Sequence, residues 1–155
     1  MVKGNGVKEK GLVKTGLGQS LVFQTIDVRV IPEVMDMIRK SKVDNVDLGA
    51  MESFIYRNIA NPETKLWIAF DGNKINGFIL AYLVSPYSKP EVFIAWAYAD
   101  PKVKDAMPML LETTEKWAKA LRITRVSTIV RKNVDAYERK YGFTLDSYNM
   151  YKEVK

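Results

Sequence analysis

An unbroken apolar run from Val92 to Ala99, rich in aromatic and β-branched residues, stops at Asp100-Pro101 and passes through a polar loop into helical spacing. Leu110, Leu111, Thr114, Trp117, Ala118 and Leu121 then share one face of a helix from about Pro108 to Leu121. The pattern predicts a buried strand feeding a helix that lies back on the sheet. In α/β folds such a junction tends to hold ligands, because the first amides of the helix are free to bind an anion.

Upstream, Leu21 to Asp27 reads as a first strand. Pro32 opens a helix carrying Ile31, Val34, Met35 and Ile38 on one face, and a second helical pattern runs from Asp47 to Ala60 with Leu48, Met51, Ile55 and Ile59 inward. Met35, Met37 and Met51 at this spacing read as core filler rather than an adaptable groove. Leu66 to Asp71 and Lys74 to Ser85 are strands joined by Asp71-Gly72-Asn73, residues that suit a tight hairpin turn. Gly77 interrupts the second of them, marking a bulge or a close backbone approach. After the long helix, Arg125 to Val130 is a strand reached by a crossover, hence parallel to the central one. Asn133 caps a short helix from Val134 to Tyr141, Gly142 ends it, and Phe143 to Glu153 makes a last strand.

Composition narrows the chemistry. With 155 residues, 47% hydrophobic and 27% charged, the chain suits one domain with a sizeable core. It has neither Cys nor His, which excludes thiol nucleophiles, Ser-His dyads, zinc fingers and His metal sites. Carboxylates, Tyr, Lys, Ser/Thr and backbone amides remain. No apolar run is long enough for a membrane span and no secretion signal is evident, so a cytoplasmic protein without membrane contact is expected. The net charge of +6 is uneven, at +3 over residues 1–20, −2 over 21–100 and +5 over 101–155. Residues 1–20 hold five of the nine glycines and no apolar period, and read as a flexible basic arm beside a single domain over 21–155, able to meet a protein partner. No recognition motif accompanies the charge, so nucleic acid is not expected as a partner.

The element order β-α-α-β-β-β-α-β-α-β, the LWIAFDGNKINGFILAYL hairpin, the strand-Asp-Pro-loop-helix and the terminal YERKYGF together resemble the GNAT superfamily of acetyl-coenzyme A dependent N-acetyltransferases over about Leu21 to Glu153. The resemblance implies an α/β (α+β) fold with a mixed, mostly antiparallel central sheet flanked by helices. It also implies that the Val92–Ala99 and Arg125–Val130 strands splay at their C-terminal ends, leaving a notch above Asp100. In that family an amine attacks the acetyl thioester directly, helped by a base, an acid that is often Tyr, and backbone amides, so Cys and His are dispensable.

The resemblance assigns acetyl-CoA contacts to Tyr98 and Ala99 on the central strand, to Lys102, Lys104, Met107 and Met109 in the loop, and to Asn133. Lys104 to Met109 stand where the family's pyrophosphate loop follows R/Q-x-x-G-x-G/A, and only the basic first residue is kept. Met107 and Met109 add bulk where glycine would let backbone approach phosphate, Pro108 removes one donor and Asp105 adds a negative charge. The position of the family's acid Tyr, four before Gly142, is Glu138, flanked by Tyr137 and Tyr141; these three are the candidate catalytic acids. The family's Asn position is Arg131, with Asn133 two residues later. Glu91 and Asp100 are candidate bases. Two readings follow: an acetyltransferase acting on a small-molecule or protein amine with an eroded coenzyme loop, or a catalytically inactive GNAT-fold binding or structural protein. The second is suggested by similarity to GNAT-like proteins of tailed bacteriophages, some tied to virion assembly.

Overall fold

The computed structural model describes residues 20–43, 46–85, 89–130, 134–146 and 152–154. Its elements, in chain order, are β1 (Leu21–Thr25), a 3-10 turn (Val28–Val30), α1 (Ile31–Lys40), α2 (Leu48–Asn58), β2 (Thr64–Phe70), β3 (Ile75–Val84), β4 (Glu91–Ala99), α3 (Ala106–Ala120), β5 (Val126–Thr128) and α4 (Val134–Tyr141). Among the described residues they build one five-stranded sheet in the order β1-β2-β3-β4-β5, antiparallel except for the β4–β5 pair. The expected mixed, mostly antiparallel sheet flanked by helices is the one found.

The period-2 alternation divides the core between the two faces. Leu66, Ile68, Phe78 and Leu80 turn toward α1 and α2, where Ile31, Val34, Met35, Met37, Ile38, Ile55 and Ile59 meet them. Ala69, Ile79, Ala81, Val92 and Ile94 turn the other way onto Ala106, Leu110, Leu111 and Ala118 of α3. Met35 and Met37 are core residues, as their spacing implied. Leu121, expected on the inner face of α3, is 44% exposed, because the helix ends at Ala120 and Arg122 takes a left-handed φ of 58°. Residues 143–146 of the expected last strand are not in strand, and 147–151 lie outside the described residues.

Local chemistry explains the element ends. The Asp27 side chain accepts from the Arg29 amide and that of Asp47 from the Ala50 amide, so each starts its helix as an N-cap. Asp71 Oδ1 accepts from the amides of Asn73 and Lys74 while Gly72 takes φ 96°, closing the hairpin. The Asn76 amide approaches the Asp71 carboxylate without a well-formed hydrogen bond, and with those two backbone amides it holds Asp71 at a pKa of about 2. Gly142, at φ 70°, follows the end of α4.

Two bulges shape the centre of the sheet. In the β2–β3 ladder Ala69 opposes Gly77 and Phe70 opposes Ile75, so Asn76 is the extra residue, and its carbonyl accepts from the Asp100 amide at 2.7 Å. In the β3–β4 ladder Leu80 opposes Trp96 and Ala81 opposes Ile94, which leaves Ala95 unpaired. The alternation of β4 flips there. Val92 and Ile94 face α3, whereas Trp96 and Tyr98 face the α1/α2 side. Gly77 is a site of close approach, for a Cβ at that position would lie 2.6 Å from the Tyr98 carbonyl oxygen. Gly77→Ala must therefore push β3 and β4 apart; the expected loss of stability is about 1 to 3 kcal/mol, read as a lower urea midpoint at unchanged slope.

Candidate functional site

The site begins where β4 and β5 part. Their pairing covers only Val92–Val126, Phe93–Ser127 and Ile94–Thr128, and the Thr128 hydroxyl donates to the Ile94 carbonyl at 3.0 Å, the last tie before the bulge. From Trp96 to Ala99, β4 has no β5 partner among the described residues. This is the notch expected from the sequence. Tyr98 and Ala99 line its far end, with Ala99 opposite Gly77 and the Tyr98 ring on the α1/α2 side. Burial first, and the Asp100 carboxylate second, push the Tyr98 phenol pKa up.

The loop from Asp100 to Asp105 is held at both ends. Asp100 accepts from the Lys102 amide through Oδ1 and from the Val103 amide through its carbonyl, both at 2.9 Å. Lys102 and Lys104 are exposed. The sequence placed the Asp105 charge in the way of a ligand, but the carboxylate is taken up by Ser20, whose amide and hydroxyl donate to its two oxygens at 3.0 and 2.9 Å. Helix α3 starts two residues earlier than the spacing implied, so Pro108 falls within its first turn, where a missing N–H costs little. Met107 packs into the α3-side core, so its bulk is directed away from the loop backbone. Met109 is half-buried, and its amide donates to the Asp105 carbonyl at 3.1 Å. The amides of Lys104, Asp105 and Met107 have no hydrogen-bond partner among the described residues.

The candidate acids lie on α4. Tyr137 is wedged between Tyr141 and Phe143, with ring centroids 5.6 and 5.7 Å away, both edge-on. Burial, with Tyr141 beside it, raises its pKa. Tyr141 and Phe143 pack on the α3-side core, while Glu138 is exposed. Asn133 lies outside the described residues. Of the candidate bases, Glu91 stands at the opposite end of β4 with Arg125 at 3.5 Å, and Asp100 is occupied by its own turn.

The sequence did not disclose a cavity of about 340 Å³ on the other face of the sheet, lined by Val46, Asp47, Ala50, Met51, Phe54, Tyr82, Ala95 and Trp96. Its walls are the residue types that read as core by periodicity. Met51 and Leu48, expected inward, are only half-buried because α2 stands off β4 here. The signal that would have disclosed it is the β4 bulge, and an unbroken apolar run gives no mark of which residue is unpaired.

The model of the acetyltransferase (GNAT) family matches residues 31–143. The chain belongs to the GNAT family. No curated protein matches it in sequence. Solved structures share the GNAT fold at low identity. The apo aminoglycoside 6'-N-acetyltransferase AAC(6')-IG of Acinetobacter haemolyticus is 15% identical with a TM-score of 0.72, over 87% of this chain and 98% of that one. AAC(6')-Iy, solved with the bisubstrate analogue CoA-S-monomethyl-acetylneamine, is 13% identical with a TM-score of 0.69, over 88% and 99%. A predicted acetyltransferase of Clostridium acetobutylicum, solved with acetyl-CoA, is 17% identical with a TM-score of 0.67, over 88% and 96%. Nothing in these similarities supports the bacteriophage resemblance or a non-catalytic role. Among the described residues no helix is long and apolar enough to cross a membrane, and no group of three or more acidic residues is set to hold a metal ion.

This GNAT chain fixes its loop through a contact the family pattern does not mention. Ser20 is 1% exposed, and its hydroxyl bonds a carboxylate, an interaction worth about 1.5 to 3 kcal/mol when buried. Because Asp105 is half-exposed, Ser20→Ala is expected to cost about 1.5 kcal/mol, measured by chemical denaturation.

Proposed function

We propose that the protein transfers an acetyl group from acetyl-coenzyme A to a small-molecule amine. One observation carries this reading: Ala95 and Trp96, where β4 leaves β5, also line the α2 cavity, so the notch that leads to the α3 loop and the cavity for a second molecule open on the same short piece of backbone. The similar structures solved with acetyl-CoA and with a bisubstrate analogue support it.

The residues present fit the coenzyme, though not through the family's glycines. The unpartnered amides of Lys104, Asp105 and Met107 supply backbone donors for a pyrophosphate, with Lys102 and Lys104 adding charge. The unpaired edge of β4 at Tyr98 and Ala99 offers backbone groups to an amide-bearing arm. When bound, acetyl-coenzyme A supplies the activated acetyl group. In the net reaction a nitrogen–carbon bond forms and the carbon–sulfur bond breaks; of the two protons the ammonium gives up, one ends on the thiol and one in water. Of the three acid candidates, Tyr137 takes the role of proton donor, its ring held in place between Tyr141 and Phe143 and its phenol kept in the protonated form by burial. Glu138 and Tyr141 act as its neighbours.

Because charge rather than a glycine ring holds the phosphates, binding should be weak and salt-sensitive, with exposed charges screened over about 10 Å at 0.1 M salt. Calorimetric titration of acetyl-coenzyme A is expected to give affinity that falls with salt and is lost in Lys104→Ala. Tight, salt-insensitive binding would refute the role given to the lysines, and no binding at low salt would refute the donor.

If Tyr137 is the acid, Tyr137→Phe should lower kcat about 10²-fold or more with KM for acetyl-coenzyme A unchanged, and Glu138→Gln should change neither. Equal activity of Tyr137→Phe and the natural protein would remove Tyr137 from the mechanism.

A further inference from the structure

The α2 cavity carries a second conclusion, which rests on its being the acceptor side. Phe54, Tyr82 and Trp96 form aromatic walls, and Val46, Ala50, Met51 and Ala95 fill the rest. The walls hold one another: Tyr82 stands 5.6 Å from Phe54 and 5.4 Å from Phe93, ring centre to ring centre, so the aromatic surface is set before a ligand arrives. Asp47 is the one acidic lining residue, and no Lys or Arg lines the cavity. Its Oδ1 accepts from the Ala50 amide at 2.9 Å, and its second oxygen has no partner among the described residues. At about 340 Å³ the space is near the small end of the ~300 to 1,000 Å³ range usual for small-molecule sites.

We propose that this cavity takes a small primary amine with a single positive charge and an apolar, preferably aromatic, body, with Asp47 meeting the ammonium and Phe54, Tyr82 and Trp96 enclosing the body. A polycationic amino sugar is the wrong ligand here. Each of its ammonium and hydroxyl groups would need a polar partner on desolvation, and the side chains of the walls supply one carboxylate, one phenol and one indole N–H, the last two of no use as anionic partners. The specificity differs from that of the aminoglycoside acetyltransferases whose fold the chain shares.

The test compares 2-phenylethylamine with sisomicin as probes on the full chain. Direct binding without coenzyme is followed by tryptophan fluorescence and calorimetry, and turnover by thiol release with saturating acetyl-coenzyme A. The natural protein is expected to bind 2-phenylethylamine and not sisomicin. Asp47→Asn removes the charge while keeping an N-cap of equal quality; it should weaken 2-phenylethylamine about tenfold and leave the uncharged 2-phenylethanol and acetyl-coenzyme A unaffected. Ala50→Phe, at an exposed helix position, should fill the cavity and abolish binding of both aromatic probes at an unchanged melting temperature. Absence of 2-phenylethylamine binding, binding insensitive to both substitutions, or acetylation of sisomicin but not of 2-phenylethylamine would overturn the assignment. If the amine binds in an Asp47-dependent way while acetyl-coenzyme A does not bind at all, the transferase reading falls and the pocket stands. If acetyl-coenzyme A binds and only sisomicin is acetylated, the transferase reading stands and the pocket falls.

Discussion

One extra residue in one strand governs the architecture of the site. Ala95 has no partner in β3, and from that point β4 carries its even-numbered side chains on the opposite face. Without the bulge, Trp96 and Tyr98 would point at α3. With it, the strand presents an edge that no described strand pairs on one side and an aromatic wall on the other. A single ladder defect thus shapes both sides of the strand at once.

The second bulge, at Asn76, secures the first. Its carbonyl holds the amide of Asp100, the residue at which β4 turns into the loop, and the neighbouring Gly77 lets β3 come against Tyr98 with no side chain between them. The loop's far end is fixed from the sheet edge by Ser20 on Asp105. Site geometry therefore derives from three backbone or near-backbone contacts and only secondarily from the exposed lysines.

Strong local signals were legible in the sequence. The Asp-Gly-Asn turn, the inward faces of α1 and α3 and the apolar run of β4 announced themselves because period and turn chemistry are local properties. The meaning of Gly77 was half legible: a close approach was foreseen, but the partner, Tyr98, lies 21 residues away. The bulge at Ala95 was not legible, since every residue from Val92 to Ala99 is apolar and no polar position marks the change of face. Met51 likewise read as core from its helical spacing, and the cavity it lines with Phe54, Tyr82 and Trp96 went unseen. Asp105 was read as an obstacle because its partner precedes it by 85 residues.

That separation also sets an order of assembly. The β2–β3 hairpin closes over the four residues Asp71 to Lys74, whereas Ser20 and Asp105 must close a loop of 85 residues to meet, and the entropy of closing a chain grows with its length. The hairpin can therefore form while the chain is still short, but the tie that fixes the loop waits until the sheet has brought its two ends together. On the ribosome Ser20 stays without its partner until Asp105, 85 residues later, has been made. The loop between β4 and α3 is in this sense a product of finished folding, fixed by a contact that neither end can make until the sheet stands between them.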